Sequence, residues 1–268
     1  MEATVIGANK TGAAASSKAT REMVEASEAL TPPQSIDLTM SKAERIRYIE
    51  EADSVGSIPP PVTLKGVVTT GIAKMKGANP SILLDKMGER LAYERSGTRL
   101  YDALITKYEG LSQVDGESVT AALRMDRKNG DGGEDAVFDG GSALETLQRI
   151  RSEELEHFKM LSMSIEALGG DPTAQTPCAD VSGTASMGFM QVLTDPRTTL
   201  AQCLNTMLSV ELTDNAGWEL LIQLADDAGE TEIAGQFLAA LGQEQQHLTI
   251  IRSWLEGLIS KGAGTQAV

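Results

Sequence analysis

Two short runs of this sequence place a carboxylate and an imidazole three residues apart: Glu154 with His157, and Glu244 with His247. On a helix, residues three apart lie on one face about one turn apart, so each pair aims an oxygen and a nitrogen donor the same way. The chain has two histidines in all, and both sit in this motif. Carboxylate and neutral imidazole are ligands of divalent first-row metals, so the chemistry in prospect is metal binding. Either pair alone is explained as well by a surface glutamate beside a hydrogen-bonded core histidine. The flanks repeat too: Phe158, Leu161, Ile165, Glu166 and Leu168 return ninety positions later as Leu248, Ile251, Leu255, Glu256 and Leu258. One helix is written twice.

The elements that must carry these pairs are four long helical segments. The first opens at Asn79-Pro80 and is expected to stop near Gly110. The second opens at Ser142-Ala-Leu-Glu145, a capping-box pattern, and stops at Gly169-Gly170. The third is expected to open at Asp195-Pro196 and stop at Gly229, and the fourth runs from about Thr231 to Gly262. About 25 residues with Pro172, Pro177 and Cys178 join the second to the third, enough to cross the length of a bundle.

The periodicity places the acids. The apolar stripe of the second segment runs Leu147, Ile150, Glu154, His157, Leu161, Ile165, Leu168, in steps of three and four. That of the fourth runs Phe237, Ala240, Glu244, His247, Ile251, Leu255, Leu258. The first reads Leu83, Met87, Leu91, Glu94, Thr98, Tyr101, Ile105, and the third Leu204, Leu208, Glu211, Asn215, Trp218, Ile222, Ala225. Each stripe thus assigns a carboxylate to the core. Glu89 and Glu219 fall off the stripes and read as surface charges. Four buried carboxylates repel one another and cost several kcal/mol each if unpaired. Two divalent cations balance them, and the oxygen-rich set with two histidines suits iron or manganese, although zinc accepts the same ligands.

A glutamate from each of two helices plus Glu-x-x-His from the other two resembles a ferritin-like, rubrerythrin-type carboxylate bundle over roughly residues 79–262. The resemblance implies an all-α, antiparallel four-helix bundle with a long crossover between helices two and three. It implies Glu94 and Glu211 as terminal or bridging ligands, and Glu154/His157 and Glu244/His247 as paired ones, around two iron or two manganese ions. Tyr101 and Trp218 would pack beside the site, with a hydrogen-bonding or redox role as the alternative. Asp214, one turn after Glu211, reads either as a further carboxylate or as a solvated rim position. The Gly-Ala-Asn-Lys-Thr-Gly stretch near residue 7, the Pro-Pro-Pro-Val-Thr-Leu-Lys-Gly stretch and the Leu-Gly-Gly-Asp-Pro turn are similar to a bacterial group of uncharacterised ferritin-like proteins. With no rubredoxin-like Cys-x-x-Cys module after the bundle and six residues after Gly262, neither the electron supply of full rubrerythrins nor the fifth helix of a storage cage is expected.

Net charge is −15. Residues 1–80 carry nine acidic and nine basic side chains, so the whole excess lies beyond them. That balance disfavours nucleic acid and anionic membranes and is compatible with attracting cations. No apolar run approaches the roughly eighteen residues of a spanning helix, and the N-terminus lacks a secretory run, so a cytoplasmic protein is expected. Cys178 and Cys203 form no disulfide framework. Residues 1–40, rich in Ala, Ser, Thr and Gly, read as a flexible arm. Residues 41–78 read as short helices and a Pro-rich connection packing on the bundle, and 263–268 as a tail. Ser41 is expected to cap a helix reaching Glu51, and residues 64–76 form an amphipathic segment. The Asp/Gly-rich stretch 129–135 lacks EF-hand spacing and reads as a loop.

The expected function is an oxidoreductase acting on O₂ or H₂O₂, of ferroxidase or peroxidase/catalase type, and the chain is expected to be a homo-oligomer. The alternative is a non-enzymatic metal-binding or interaction module whose arm, residues 1–40, docks a partner.

Overall fold

The computed structural model describes residues 16–31, 37–57, 80–123 and 141–260, apart from the side chains of Pro80 and residues 115–122. The Gly-Ala-Asn-Lys-Thr-Gly stretch, the Pro-rich connection, the segment 64–76, the Asp/Gly-rich stretch and the tail lie outside the described residues. Among the described residues the chain is all-helical, without strands. It divides into two compact units, Met1–Val55 and Gly56–Val268.

The first unit holds α1 (Ser17–Leu30) and α2 (Thr39–Glu51), and neither buries a side chain. Residues 17–30, part of the stretch read from sequence as a flexible arm, are helical, with the Ser16 side chain accepting from the Ala19 N–H. α2 begins two residues before Ser41: Asp37 Oδ1 accepts from the Thr39 N–H at 2.9 Å.

The second unit is built on α3 (Pro80–Ala122), α4 (Ala143–Ala167), α7 (Leu200–Ala228) and α8 (Thr231–Ser260). Between α4 and α7 lie α5 (Pro177–Ala185) and α6 (Met187–Thr194), short helices that the spacing of apolar residues did not announce. Thr176 caps α5, accepting from the Ala179 N–H, with Pro177 in the first turn where a missing donor costs nothing.

Helix ends follow their caps. Ser142 and Glu145 form the expected capping box on α4, whose end is closed by Gly169 at φ 82°. α7 starts at Leu200 rather than at Asp195-Pro196. Thr199 and Gln202 exchange capping-box bonds of 2.9 and 3.0 Å, while Asp195 instead closes α6. α3 runs through Gly110 to Ala122. A glycine inside a helix costs about 1 kcal/mol, and the packing of Tyr108, Leu111 and Leu123 on the core holds the chain helical past it.

Contacts along the long helices set their directions. Arg90 meets Asp214 and Lys107 Nζ meets the Asp195 carbonyl at 2.6 Å, so α3 and α7 run oppositely. Asp102 pairs with Arg151, and Gly170 lies beside Leu84, which opposes α3 and α4. Asn215 bonds Glu244, and Trp218 packs on Phe237, which opposes α7 and α8. α4 and α7 therefore point the same way, and the chain through α5 and α6 returns along the length of the unit.

The apolar interior is two clusters rather than one. Tyr101, Leu104, Ile150, Leu204, Met207, Ile251 and Trp254 belong to the first, and Met87, Leu91, Leu161, Ile165, Trp218, Phe237 and Leu241 to the second. Each long helix passes from one cluster to the other, and each carries its motif acid at the crossing. The two clusters sandwich a polar layer.

Candidate metal centre

The polar layer contains the six residues that the periodicity selected. Glu94, Glu211, Glu244 and His247 are 0 % exposed, Glu154 1 % and His157 3 %. A helix turn orients each: Glu94 follows Leu91 on α3, and Glu211 follows Met207 on α7. The paired motifs follow Ile150 on α4 and Leu241 on α8, with the apolar neighbours anchoring the face inward.

His157 Nδ1 stands 2.7 Å from Glu244 Oε1 and 3.6 Å from Glu94 Oε2. His247 Nδ1 stands 3.1 Å from Glu244 Oε2, 3.6 Å from Glu154 Oε1 and 4.0 Å from Glu211 Oε2. Three overlapping donor groups result among the described residues, Glu94–His157–Glu244, Glu154–Glu211–Glu244–His247 and Glu94–Glu154–Asp214–Glu244, the donor atoms of each within 4.8 Å of one another. Glu244 belongs to all three.

The far nitrogen of each ring is fixed from outside. His157 Nε2 lies 2.8 Å from Gln243 Oε1, and His247 Nε2 lies 2.8 Å from Glu153 Oε2. An oxygen acceptor at Nε2 holds a proton there, so that each Nδ1, once its own proton is displaced, would present a lone pair to the carboxylates, the tautomer that a metal ligand requires.

Neither Glu153 nor Gln243 was found from sequence, because each falls beside its helix's stripe and bonds to a different helix. Arg90 was missed for the same reason. It is 2 % exposed, forms an ion pair with Asp214, and stacks 4.3 Å over the Tyr93 ring. Asp214 is therefore no solvated rim position: it is buried, and Arg90 neutralises it. Tyr101 is fully buried and donates its phenol proton to Glu211 Oε1. Trp218 packs edge-on to His157, centroids 5.6 Å apart, as a wall of the layer. Asn215, placed in the stripe by period alone, donates to the carbonyls of Glu211 at 2.9 Å and Glu244 at 3.1 Å, tying two site residues together. Glu219 is exposed, and Glu89 is partly exposed beside Lys86, in keeping with surface charges.

No known protein family, curated protein or solved structure matches this chain.

The residues fit a metal. Both oxygens of Glu94, and one each of Glu154, Glu211 and Glu244, are buried without a hydrogen-bond donor, as is His157 Nδ1. Buried polar atoms are nearly always satisfied, so a convergent set of orphaned acceptors marks a place where a cation supplies the missing partner. Proton affinities say the same of the metal-free cluster. Burial, reinforced by the neighbouring carboxylates, pushes Glu154 well above the carboxylate range and Glu211 up to about 8. Burial opposes charge on His157, yet Glu244 and Glu94 raise it to about 10. Burial also opposes charge on Glu244, yet the two imidazoles hold it at about 2. Without metal, protons collect where positive charge is required.

Proposed function

We propose that this chain is a ferritin-like four-helix bundle holding two iron or two manganese ions, and that it acts as an oxidoreductase on O₂ or H₂O₂. The observation that carries the proposal is the convergence of orphaned carboxylate oxygens on the two histidines between two apolar clusters, the Nδ1 of His157 being without a partner as well. Glu94, Glu154, His157, Glu211, Glu244 and His247 would hold the ions. The antiparallel contacts of the four long helices, with α4 and α7 parallel across a long connection, support the bundle assignment. Two divalent ions supply four positive charges against four glutamates, with Asp214 already balanced by Arg90.

When bound, such a pair of ions offers two-electron redox chemistry at open coordination positions. The protein's own part is to exclude water and fix the donors. Tyr101 and Trp218, each 0 % exposed, wall the layer, and Phe237 packs behind Trp218. Gln243 and Glu153 orient the rings, and Tyr101 offers one proton to the Glu211 carboxylate.

The test is metal content per chain by plasma mass spectrometry, before and after anaerobic Fe²⁺ loading, followed by O₂ and H₂O₂ consumption. Two ions per chain with turnover of either oxidant supports the enzyme, and no stoichiometric metal sinks it. A second function, docking through the N-terminal region, is favoured by α1, which leaves Met23, Val24 and Leu30 exposed and buries nothing. Deleting residues 1–40 separates the two, since metal loading would survive and assembly with a partner would not.

A further inference from the structure

The residue preceding the glutamate of each Glu-x-x-His pair reaches across to the histidine of the other pair. Glu153, before Glu154 on α4, accepts from His247 on α8, and Gln243, before Glu244 on α8, accepts from His157 on α4. Both contacts measure 2.8 Å. The arrangement is two-fold in geometry and unequal in charge, a carboxylate on one side and a neutral amide on the other.

We propose that Glu153 and Gln243 make the two metal positions unequal, the ion held through His247 binding more tightly than the ion held through His157. The inference rests on the dimetal reading above and deepens it. A carboxylate at Nε2 draws the N–H proton toward itself and makes Nδ1 a stronger donor than an amide does. Removing such a partner typically costs about 10–100-fold in metal affinity.

Two further features act in the same direction. The His247 group contains three carboxylates, Glu154, Glu211 and Glu244, and the His157 group two, Glu94 and Glu244, while Glu154 and Asp214, the latter engaged by Arg90, also stand beside Glu94 and Glu244. Arg90 Nη1 lies 3.8 Å from Glu94 Oε1, so the guanidinium, already engaged by Asp214, stands on the His157 side and opposes a cation there. Against this, Arg149 Nη1 donates to both oxygens of Glu153 at 2.9 Å, which tempers the carboxylate's charge while fixing its orientation.

The experiment is an anaerobic calorimetric titration of the full chain with Fe²⁺, with Mössbauer spectra at one ⁵⁷Fe per chain. Wild type is expected to bind two ions in steps at least about tenfold apart, with one quadrupole doublet dominating at one equivalent. Glu153→Gln should weaken the tighter step by about 10–100-fold and leave the weaker within about threefold, so that the steps merge. Gln243→Glu should merge them from the other side, by tightening the weaker step, and decides the matter should Glu153→Gln fold poorly by circular dichroism. Two ions bound with equal constants in wild type, or both steps weakened equally by Glu153→Gln, would overturn the inequality and leave the dimetal centre standing. A chain that binds no iron overturns both.

Discussion

The Glu154 carboxylate occupies the space that a side chain at Gly97 would fill. A Cβ at Gly97 would overlap Glu154 Oε2 and stand 3.0 Å from its Cδ. Gly97 lies on α3 one turn past Glu94, so the missing side chain lets an acid from α4 reach the layer. In an isolated helix, Gly→Ala is favourable by about 1 kcal/mol. Here Gly97→Ala is expected to reverse that sign and to displace Glu154, reducing bound Fe²⁺ from two ions per chain to one or none. Metal analysis beside a thermal melt checks both parts. Full loading with a raised Tm would contradict the close approach.

Glu154→Ala and His247→Ala should each abolish stoichiometric metal loading while leaving far-UV circular dichroism close to wild type. The four long helices are held by the apolar clusters on either side of the layer, and removing one buried acid also relieves repulsion with Glu244, Glu94 and Glu211.

Arg90→Met leaves Asp214 as an uncompensated buried charge, at a cost of about 3–5 kcal/mol. The double variant Arg90→Met/Asp214→Asn should recover most of that loss in chemical denaturation. An additive pair of effects would mean that the two side chains are not coupled.

Metal-free protein should lose stability as pH rises. Glu211 goes from an ordinary 4.5 to about 8 on folding, and His157 from 6.5 to about 10. A raised folded-state pKa contributes stability that is fully present below the unfolded value and lost as pH climbs through the folded one. The Tm of metal-free protein should therefore fall from about pH 5 to about pH 10. Glu244, lowered to about 2, acts oppositely, contributing above 4.5 and failing only in strong acid. Binding metal at neutral pH must expel the protons, seen as a calorimetric enthalpy that changes with the buffer. A flat Tm between pH 5 and 9 would contradict the proton-filled layer.

Much of the layer was legible because helical period and burial coincide: Glu94, Glu154, His157, Glu211, Glu244 and His247 all sit where the 3.6 repeat demands apolar residues, and all are buried. Arg90, Glu153 and Gln243 were not legible. Their partners lie on other helices, 86 to 124 residues away in sequence, and the pattern within one helix carries no trace of such pairs. Helix ends divided by the strength of the local signal. The Ser142–Glu145 box was read correctly, whereas Asp195-Pro196 drew attention from the Thr199–Gln202 box that starts α7. Gly110 resembled a stop, but its neighbours pack on the core and the helix continues.

The crossed hydrogen bonds also bear on how the chain comes together. The hairpin of α3 and α4 supplies Glu94, Glu154 and His157, and that of α7 and α8 supplies the rest, yet each hairpin's histidine takes its outer partner from the other. Neither hairpin can orient its own imidazole. These contacts close loops of 86 and 94 residues, among the slowest a chain must find. The donor set is then completed late in folding, and the layer could hold a cation only once both hairpins had docked.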